Sequence, residues 1–412
     1  MFIVSPNSED REDLAIGLAS GRETGLANAR SPRNRNNWIF RGFNRGPLPD
    51  PSVNLGPQSF NVCLPRDREF TQKIVDIYFG RLNYHRPVFE KSNFVRRLNA
   101  LYDDSTNTPH DDPGFLLSVY LILALGTLAF LYSAPAADAM FETSPKRVVK
   151  IDGWPTHEDF FEQALVVKPE LRVTTSSLQA LILLQWYLYI EVRPHYSPLP
   201  VFSLSLTGTQ RHQRTLWRLV GSMVRLAVEL GLHHDPRRQG STFSPEECEL
   251  RINLWWIIMI HDRGTSVLLG RPLAIAQEDF DTPAPTVSTT VSEHFVDSKV
   301  LTDVQADIIN SLYRPAPQST EEFMHHARRI LLSMTSFAKS LPRAYAPYFD
   351  GTQDWPEERK GRLSRELTMD IGLSYLKYGI ARLLLLRAMF TNKDIVDWVK
   401  FKALDDGELL SS

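Results

Sequence analysis

The chain has 412 residues, of which 43% are apolar, and its 46 basic and 48 acidic residues give a formal charge of −2 at pH 7. This size allows a large buried core, and the near-zero charge excludes a global electrostatic attraction to nucleic acid, so any basic footprint must be local. The two cysteines, Cys63 and Cys248, exclude a disulfide framework and an internal zinc cluster, which needs thiolate pairs about two to four residues apart. They fit a reducing compartment.

Residues 1–62 are rich in Pro, Gly, Asn, Ser and Arg and show no apolar periodicity. Because such a segment cannot bury enough apolar surface to offset chain entropy, we predict a disordered arm. Five of its arginines alternate with Asn and aromatic residues: Arg30, Arg33, Arg35, Arg41 and Arg45. This pattern is typical of nucleic-acid contact or nuclear import, and more often of a solvated basic tail.

Helical order is predicted to begin after Pro65, because Phe70, Ile74, Ile77 and Tyr78 recur at the spacing of one helix face. The next long apolar run, residues 114–137, contains no charged residue. Its length allows a bilayer crossing, which takes about 20 residues. Polar residues dilute the run, and basic and aromatic anchors do not frame both ends, so we favour a buried central helix over a membrane span.

Residues 176–191 carry leucines at helical spacing, and an unusual segment follows. Residues 192–210 form a Pro-rich stretch with exposed apolar residues, and three prolines exclude a regular helix. One interpretation is an irregular surface loop. We also consider a retained intron, because the insert is short and differs in character from its surroundings.

The middle of the chain contains two linked helices. Leu216, Leu219, Met223, Leu226 and Leu230 form one apolar stripe. The residues after that stripe favour a left-handed cap and then a break in the helix. These two residues are Gly231 and Pro236.

The second helix is predicted to start at Ser244 as N-cap, with Glu247 completing a capping box. Farther along it, Asp262 lies at the edge of an apolar stripe that includes Trp255 and Trp256. A carboxylate at that position needs a cationic partner to offset desolvation. Arg263 and Arg271 are the two candidates.

Four segments of this region form a recognisable pattern: residues 225–236, 249–256, 261–263 and 269–272. The pattern resembles the fungal-specific transcription factor domain, which is the middle homology region of fungal binuclear zinc-cluster transcription factors. The resemblance extends from about residue 64 to about residue 390. Its signature positions are Gly231, Leu232, His233, Asp235, Pro236, Trp255, Trp256, Asp262, Arg263, Gly270, Arg271 and Pro272.

The resemblance implies an all-α multi-helix bundle over residues 63–390, followed by a tail over residues 391–412 in which the family domain is cut short. It implies a nuclear transcription regulator rather than an enzyme, controlling a metabolic or secondary-metabolite gene cluster. The expected partners are other transcription regulators or a second copy of the chain, with a small-molecule effector as a further candidate and no membrane.

The resemblance also implies DNA as a partner, but the six-cysteine cluster that reads DNA in this family is absent from the sequence. We therefore predict no cofactor in this chain, and zinc only if an upstream exon supplies the cluster. A regulator that acts through partners and a degenerate paralogue are the other two explanations.

A metal-dependent helical hydrolase is the main alternative, with a membrane-anchored helical protein second. The hydrolase would use His233, His234, Asp235, His261 and Asp262, whose side chains are of the right types for metal chemistry. Such a site needs three or four ligands that converge on one ion, and the spacing of these residues does not favour this. The structural interpretation is that His233 and His234 cap the preceding helix, while Asp262 and Arg263 form a buried pair.

Overall fold

A computed structural model describes residues 35–44, 59–103, 112–133, 151–168, 171–191, 210–240, 242–341, 356, 358 and 370–395. In these residues there are ten α-helices and one two-stranded antiparallel sheet, so the predicted all-α class is confirmed. The chain divides into two compact units, Met1–Leu232 and His233–Ser412, where the sequence predicts one helical domain. The proposed insert between residues 191 and 210 lies outside the described residues, as does most of the tail.

The first unit contains the sheet and six helices. Strands β1 (Trp38–Asn44) and β2 (Ser59–Pro65) pair with Trp38 opposite Pro65. The helices are α1 (Arg68–Arg81), α2 (Lys91–Asp103), α3 (Pro113–Ser133), α4 (His157–Val167), α5 (Thr175–Glu191) and α6 (Gln210–Glu229). The second unit contains α7 (Pro245–Leu269), α8 (Glu293–Leu312), α9 (Thr320–Ser340) and α10 (Asp370–Thr391).

The sheet corrects the prediction that residues 1–62 are a disordered arm. Trp38 is 1% exposed, and its ring meets that of Phe160 in α4 edge to face, with 5.4 Å between the ring centroids. In β2, the Cys63 N–H donates a 3.0 Å hydrogen bond to the hydroxyl of Tyr120 in α3. The strands therefore belong to the core of the first unit, because burial of Trp38 and its neighbours offsets the chain entropy that the composition alone left unbalanced.

Helix α3 is the central helix of the first unit. It packs against α1, α4 and α5, and its residues from Phe115 to Leu125 are buried. Residues Pro113–Leu131 are long and apolar enough to cross a membrane, but 83% of that apolar window is buried inside the protein. The structure thus agrees with the predicted core helix, which is apolar all round because neighbours cover every side.

A glycine sets how closely α1 approaches α3. A Cβ atom on Gly126 would lie 2.7 Å from both Cγ2 and the carbonyl oxygen of Ile74 in α1. Because real Cβ atoms do not approach other heavy atoms this closely, the two helices can meet at this distance only where α3 has no side chain.

The second unit has its own core, formed by α8, α9 and α10. Helix α8 corrects the interpretation of residues 279–322 as a long connection. Ser292 caps α8 by accepting from the Phe295 N–H at 3.1 Å, and apolar residues then recur at helical spacing. The Asp, Thr and Pro residues that suggested a connection occupy only the segment before this cap.

Candidate functional site

Helix α6 ends as the sequence predicts, on Gly231 in the left-handed conformation with φ 72°. The Gly231 N–H bonds to the carbonyl of Val228 and the Leu232 N–H to that of Ala227, each at 2.9 Å. These two bonds form the Schellman arrangement, in which main-chain groups satisfy the last carbonyls of a helix. The backbone therefore provides the cap that we had assigned to the imidazoles of His233 and His234.

Asp281 holds the loop after Leu232 in its conformation. Its carboxylate accepts from the Asp235 N–H at 3.1 Å and lies 3.3 Å from Nδ1 of His234 and 3.4 Å from Nη1 of Arg238. Its own N–H donates to the His233 carbonyl at 3.0 Å. Sequence reasoning missed Asp281, because nothing in its neighbourhood indicates a partner more than 40 residues earlier in the chain.

The charges of this loop shift two pKa values. The pKa of the Asp281 carboxyl is lowered, first by the hydrogen bond from the Asp235 N–H and then by His234 and Arg238. The pKa of His233 is also lowered, first by burial and then by the neighbouring His234. The two imidazole rings lie 3.9 Å apart, so protonation of both would place like charges side by side.

Asp235 and Pro236 start a short 3₁₀ turn, Pro236–Arg238. The Asp235 carboxylate accepts from the Arg237 N–H at 3.0 Å, and Pro236 occupies the first position of the turn, where its fixed φ fits and no N–H is needed. These residues thus shape the loop.

Helix α7 begins at the predicted N-cap. The Ser244 hydroxyl accepts from the Glu247 N–H at 3.2 Å, and Pro245 is the first helical residue. The carboxylate of Glu247 lies 3.6 Å from Nη1 of Arg251, one turn along the helix. The helix ends at Gly270, whose φ of 62° confirms the predicted left-handed stop.

The predicted ion pair is present at the end of α7. Nη1 of Arg263 donates to Oδ2 of Asp262 at 2.7 Å, and the two side chains are 1% and 0% exposed, respectively. The same carboxylate accepts from the Ala274 N–H at 3.0 Å, and Nη2 of Arg263 donates to the Ile275 carbonyl at 3.0 Å. Arg263, rather than Arg271, is therefore the cationic partner of Asp262.

This pair folds the segment after Gly270 back onto α7. The Ser266 hydroxyl adds a 3.1 Å bond to the Pro272 carbonyl, and the Arg271 N–H bonds to the Ser266 carbonyl at 3.1 Å. Burial raises the pKa of Asp262 and lowers the pKa of Arg263, while the mutual attraction of the pair and the hydrogen bonds offset part of that effect.

Trp255 and Trp256 provide the apolar part of this region. Phe280 packs against both, with ring centroids 5.5 Å from Trp255 and 5.8 Å from Trp256. Nε1 of Trp256 donates to the Pro283 carbonyl at 2.7 Å. Residues 280–283 thus lie over the core of the second unit, and their attachment is hydrophobic at Phe280 and polar at Pro283.

The geometry gives the hydrolase alternative no support. In the part of the chain that the structure describes, no three His, Cys, Asp or Glu side chains are grouped as metal ligands. Asp262 is engaged by Arg263 and Ala274, whereas His234 faces Asp281. The residues proposed for metal chemistry are therefore used for packing and loop attachment.

The five arginines of the predicted basic arm gain no site from the structure. Arg35 belongs to a short 3₁₀ turn and Arg41 to β1, while Arg30, Arg33 and Arg45 lie outside the described residues. Nucleic-acid contact through this arm stays a prediction.

Comparison with known proteins places the signature segments in a family. Residues 200–367 match the model of the fungal specific transcription factor domain, a narrower range than residues 64–390. The chain is 26% identical over 221 residues to an uncharacterized transcriptional regulatory protein of Schizosaccharomyces pombe, covering 53% of this chain and 24% of that protein. It is 23% identical over 263 residues to a positive regulator of purine utilization of Emericella nidulans, covering 54% of this chain and 23% of the relative.

A third relative is pyrimidine pathway regulatory protein 1 of Saccharomyces cerevisiae, 28% identical over 158 residues, which are 38% of this chain and 17% of the relative. The chain thus spans about a quarter or less of these three curated relatives. No solved structure matches it. The capped helices, the Asp262–Arg263 pair and the Trp255–Trp256 cluster all lie within the matched range, and residues 200–367 of this chain are a fungal specific transcription factor domain.

Proposed function

We propose that the protein is a regulator of transcription that acts in the nucleus. The observation that carries this proposal is the match of residues 200–367 to the fungal specific transcription factor domain, together with relatives whose names describe transcriptional regulation. The structure supports it by showing that the signature residues build a buried framework, which suits a domain that positions surfaces for partners.

The proposal assigns no catalytic step and no cofactor to this chain. Two relatives are named for the control of purine utilization and of the pyrimidine pathway, which supports a metabolic gene set as the target. Other transcription regulators, a second copy of the chain and a small-molecule effector are the partners we propose.

Deletion of the gene, followed by transcript measurement under conditions in which the gene is expressed, tests the function. We expect a defined set of transcripts to change and to recover when the wild-type gene is returned. An Asp262→Asn variant should fail to restore them, because it breaks the framework of the second unit. An Asp307→Asn variant removes an exposed ion pair with Arg329 and should restore them fully. An unchanged transcriptome in the deletion strain would contradict the proposal.

A further inference from the structure

Helix α6 carries the most concentrated positive charge among the described helices of the first unit. Its 20 residues include four arginines and one acidic residue, so its formal charge is +3 with His212 neutral, although the whole chain has a charge of −2. The sequence analysis looked for a local basic footprint only in the arm, and it treated this helix solely as an apolar stripe.

The four arginines share one side of the helix. At 3.6 residues per turn, Arg211, Arg214, Arg218 and Arg225 fall within about 60° of arc. The buried residues Leu216, Leu219, Val220, Met223 and Ala227 occupy the opposite side. We call the first side the arginine face of α6. It spans about 21 Å from residue 211 to residue 225 at 1.5 Å per residue.

The described arginines of this face are exposed and available. The side chains of Arg218 and Arg225 are exposed, and in the described part of the chain neither forms an ion pair with a carboxylate. Glu229 is the one acidic residue at the same helical register. An unneutralised row of guanidinium groups on a rigid helix is arranged to meet a polyanion.

The residues between the arginines indicate which polyanion fits. Gly221 and Ser222 lie between Arg218 and Arg225, and a Cβ atom on Gly221 would meet nothing within 4 Å. An acidic protein segment usually needs an apolar or aromatic anchor at the centre of its docking surface. This face has none between its arginines, and a sugar-phosphate backbone requires none, because arginines and small hydroxyl side chains are its usual contacts.

We propose that the arginine face of α6 binds the phosphate backbone of duplex DNA without reading its sequence. Arg218 and Arg225, about 10.5 Å apart along the helix, would each neutralise a phosphate, and Arg211 and Arg214 extend the row. Phosphate contacts position a protein on DNA and provide affinity that depends on salt, while base contacts provide specificity. The proposal deepens the proposed function, and it relies on that function only for its physiological setting.

The test uses the full chain and a fluorescein-labelled 24-base-pair duplex of mixed sequence, with anisotropy measured between 50 and 200 mM NaCl. The variant is Arg218→Glu combined with Arg225→Glu. The matched control is Arg66→Glu combined with Arg172→Glu, which changes the charge of the same unit equally at two exposed arginines outside α6.

We expect the α6 variant to lose at least about 10-fold in affinity at 100 mM NaCl and to lower the slope of log affinity against log salt by about 2, since each phosphate contact contributes about 0.9. The control should stay within about threefold of wild type, and a second duplex of unrelated sequence should bind equally well. Circular dichroism melting of both variants checks that they are folded.

Three results would overturn the proposal. The wild-type chain could fail to bind DNA at 50 mM NaCl. The control could lose as much affinity as the α6 variant, which would assign binding to the overall charge. The α6 variant could lose binding to polyglutamate while keeping its affinity for DNA, which would assign the face to an acidic protein partner. Transcript changes in the deletion strain remain an independent measurement, so failure of DNA binding can be distinguished from failure of the proposed function.

Discussion

Asp262 and Arg263 are neighbours in the sequence, and their side chains form a 2.7 Å ion pair that is almost completely buried. Adjacent residues of a helix normally point in different directions. Here the guanidinium turns toward the carboxylate of its neighbour, and both groups also bond to main-chain atoms of residues 274 and 275. The pair thereby connects the last turns of α7 to the segment that follows Gly270.

Asp262→Asn should destabilise the second unit by about 3–5 kcal/mol, because Arg263 would keep its charge in a buried site without a carboxylate. Urea unfolding followed by tryptophan fluorescence, which reports on the nearby Trp255 and Trp256, is the measurement. Asp307→Asn, which removes an ion pair whose partner Arg329 is half exposed, should cost less than about 1 kcal/mol. Equal losses in the two variants would contradict the structural role of the buried pair.

Removal of both charges should cost less than removal of one. In an Asp262→Leu, Arg263→Met double variant, no unpaired charge remains in the core, and buried pairs replaced by apolar residues often lose little stability. We therefore expect the double variant to be more stable than Asp262→Asn in the same urea titration. A double variant that is less stable than Asp262→Asn would show that the bonds to residues 274 and 275 outweigh the charge effect.

Gly270→Ala should destabilise α7 by about 1 kcal/mol, because alanine resists the left-handed conformation at φ 62°. A Cβ atom there would meet nothing within 4 Å, so the cost comes from the backbone alone. Gly264→Ala in the same helix is the control: its Cβ also meets nothing, and alanine favours a helix interior, so we expect a gain of up to about 1 kcal/mol. Opposite signs in thermal melting would support the assignment of Gly270 as the cap.

Gly126→Ala should destabilise the first unit by about 1–3 kcal/mol, since the new methyl group would overlap Ile74 in α1. Gly80→Ala in α1 is the control, because its Cβ would meet nothing within 4 Å. We expect this control to be neutral or slightly stabilising. If Gly126→Ala melts at the wild-type temperature, α1 and α3 do not approach as closely as the structure shows.

The stability of the second unit should fall as the pH drops below the ordinary histidine pKa of about 6.5. The pKa of His233 is lowered in the folded protein, so the unfolded chain binds a proton more readily. The stabilisation from neutral His233 is present above the unfolded pKa and is lost as the pH falls through the folded pKa. The facing groups are His234 and Asp281, with Arg238 and Asp235 beside them.

Melting temperatures at pH 7.5 and 5.5, for wild type and for His233→Asn, check this expectation. The variant should lose less than the wild type between the two pH values. A second decline at lower pH is expected from Asp281, whose lowered pKa gives stability that is present above its unfolded pKa and disappears as the carboxylate is protonated. An Asp281→Asn variant should lack this second decline.

The sequence by itself determined the features that depend on residues a few positions apart. Gly231, Ser244 and Gly270 are caps in the structure, because a cap satisfies main-chain groups within one helical turn and its residue type reports that geometry directly. The core position of α3 could also be predicted, since a helix that is apolar all round must be covered. The choice of Arg263 over Arg271 could not be made from the sequence, because both are close enough along the chain to reach Asp262.

The tertiary structure decided the features that join distant residues. Trp38 became part of the core only because Phe160, more than 100 residues later, covers it, and Asp281 became the partner of the loop after Leu232 across a gap of more than 40 residues. Composition could not predict either contact, because the free energy of burial depends on which surface is nearby and not on local residue type. The arginine face of α6 combines both sources: its register is written in the sequence, and its exposure is known only from the fold.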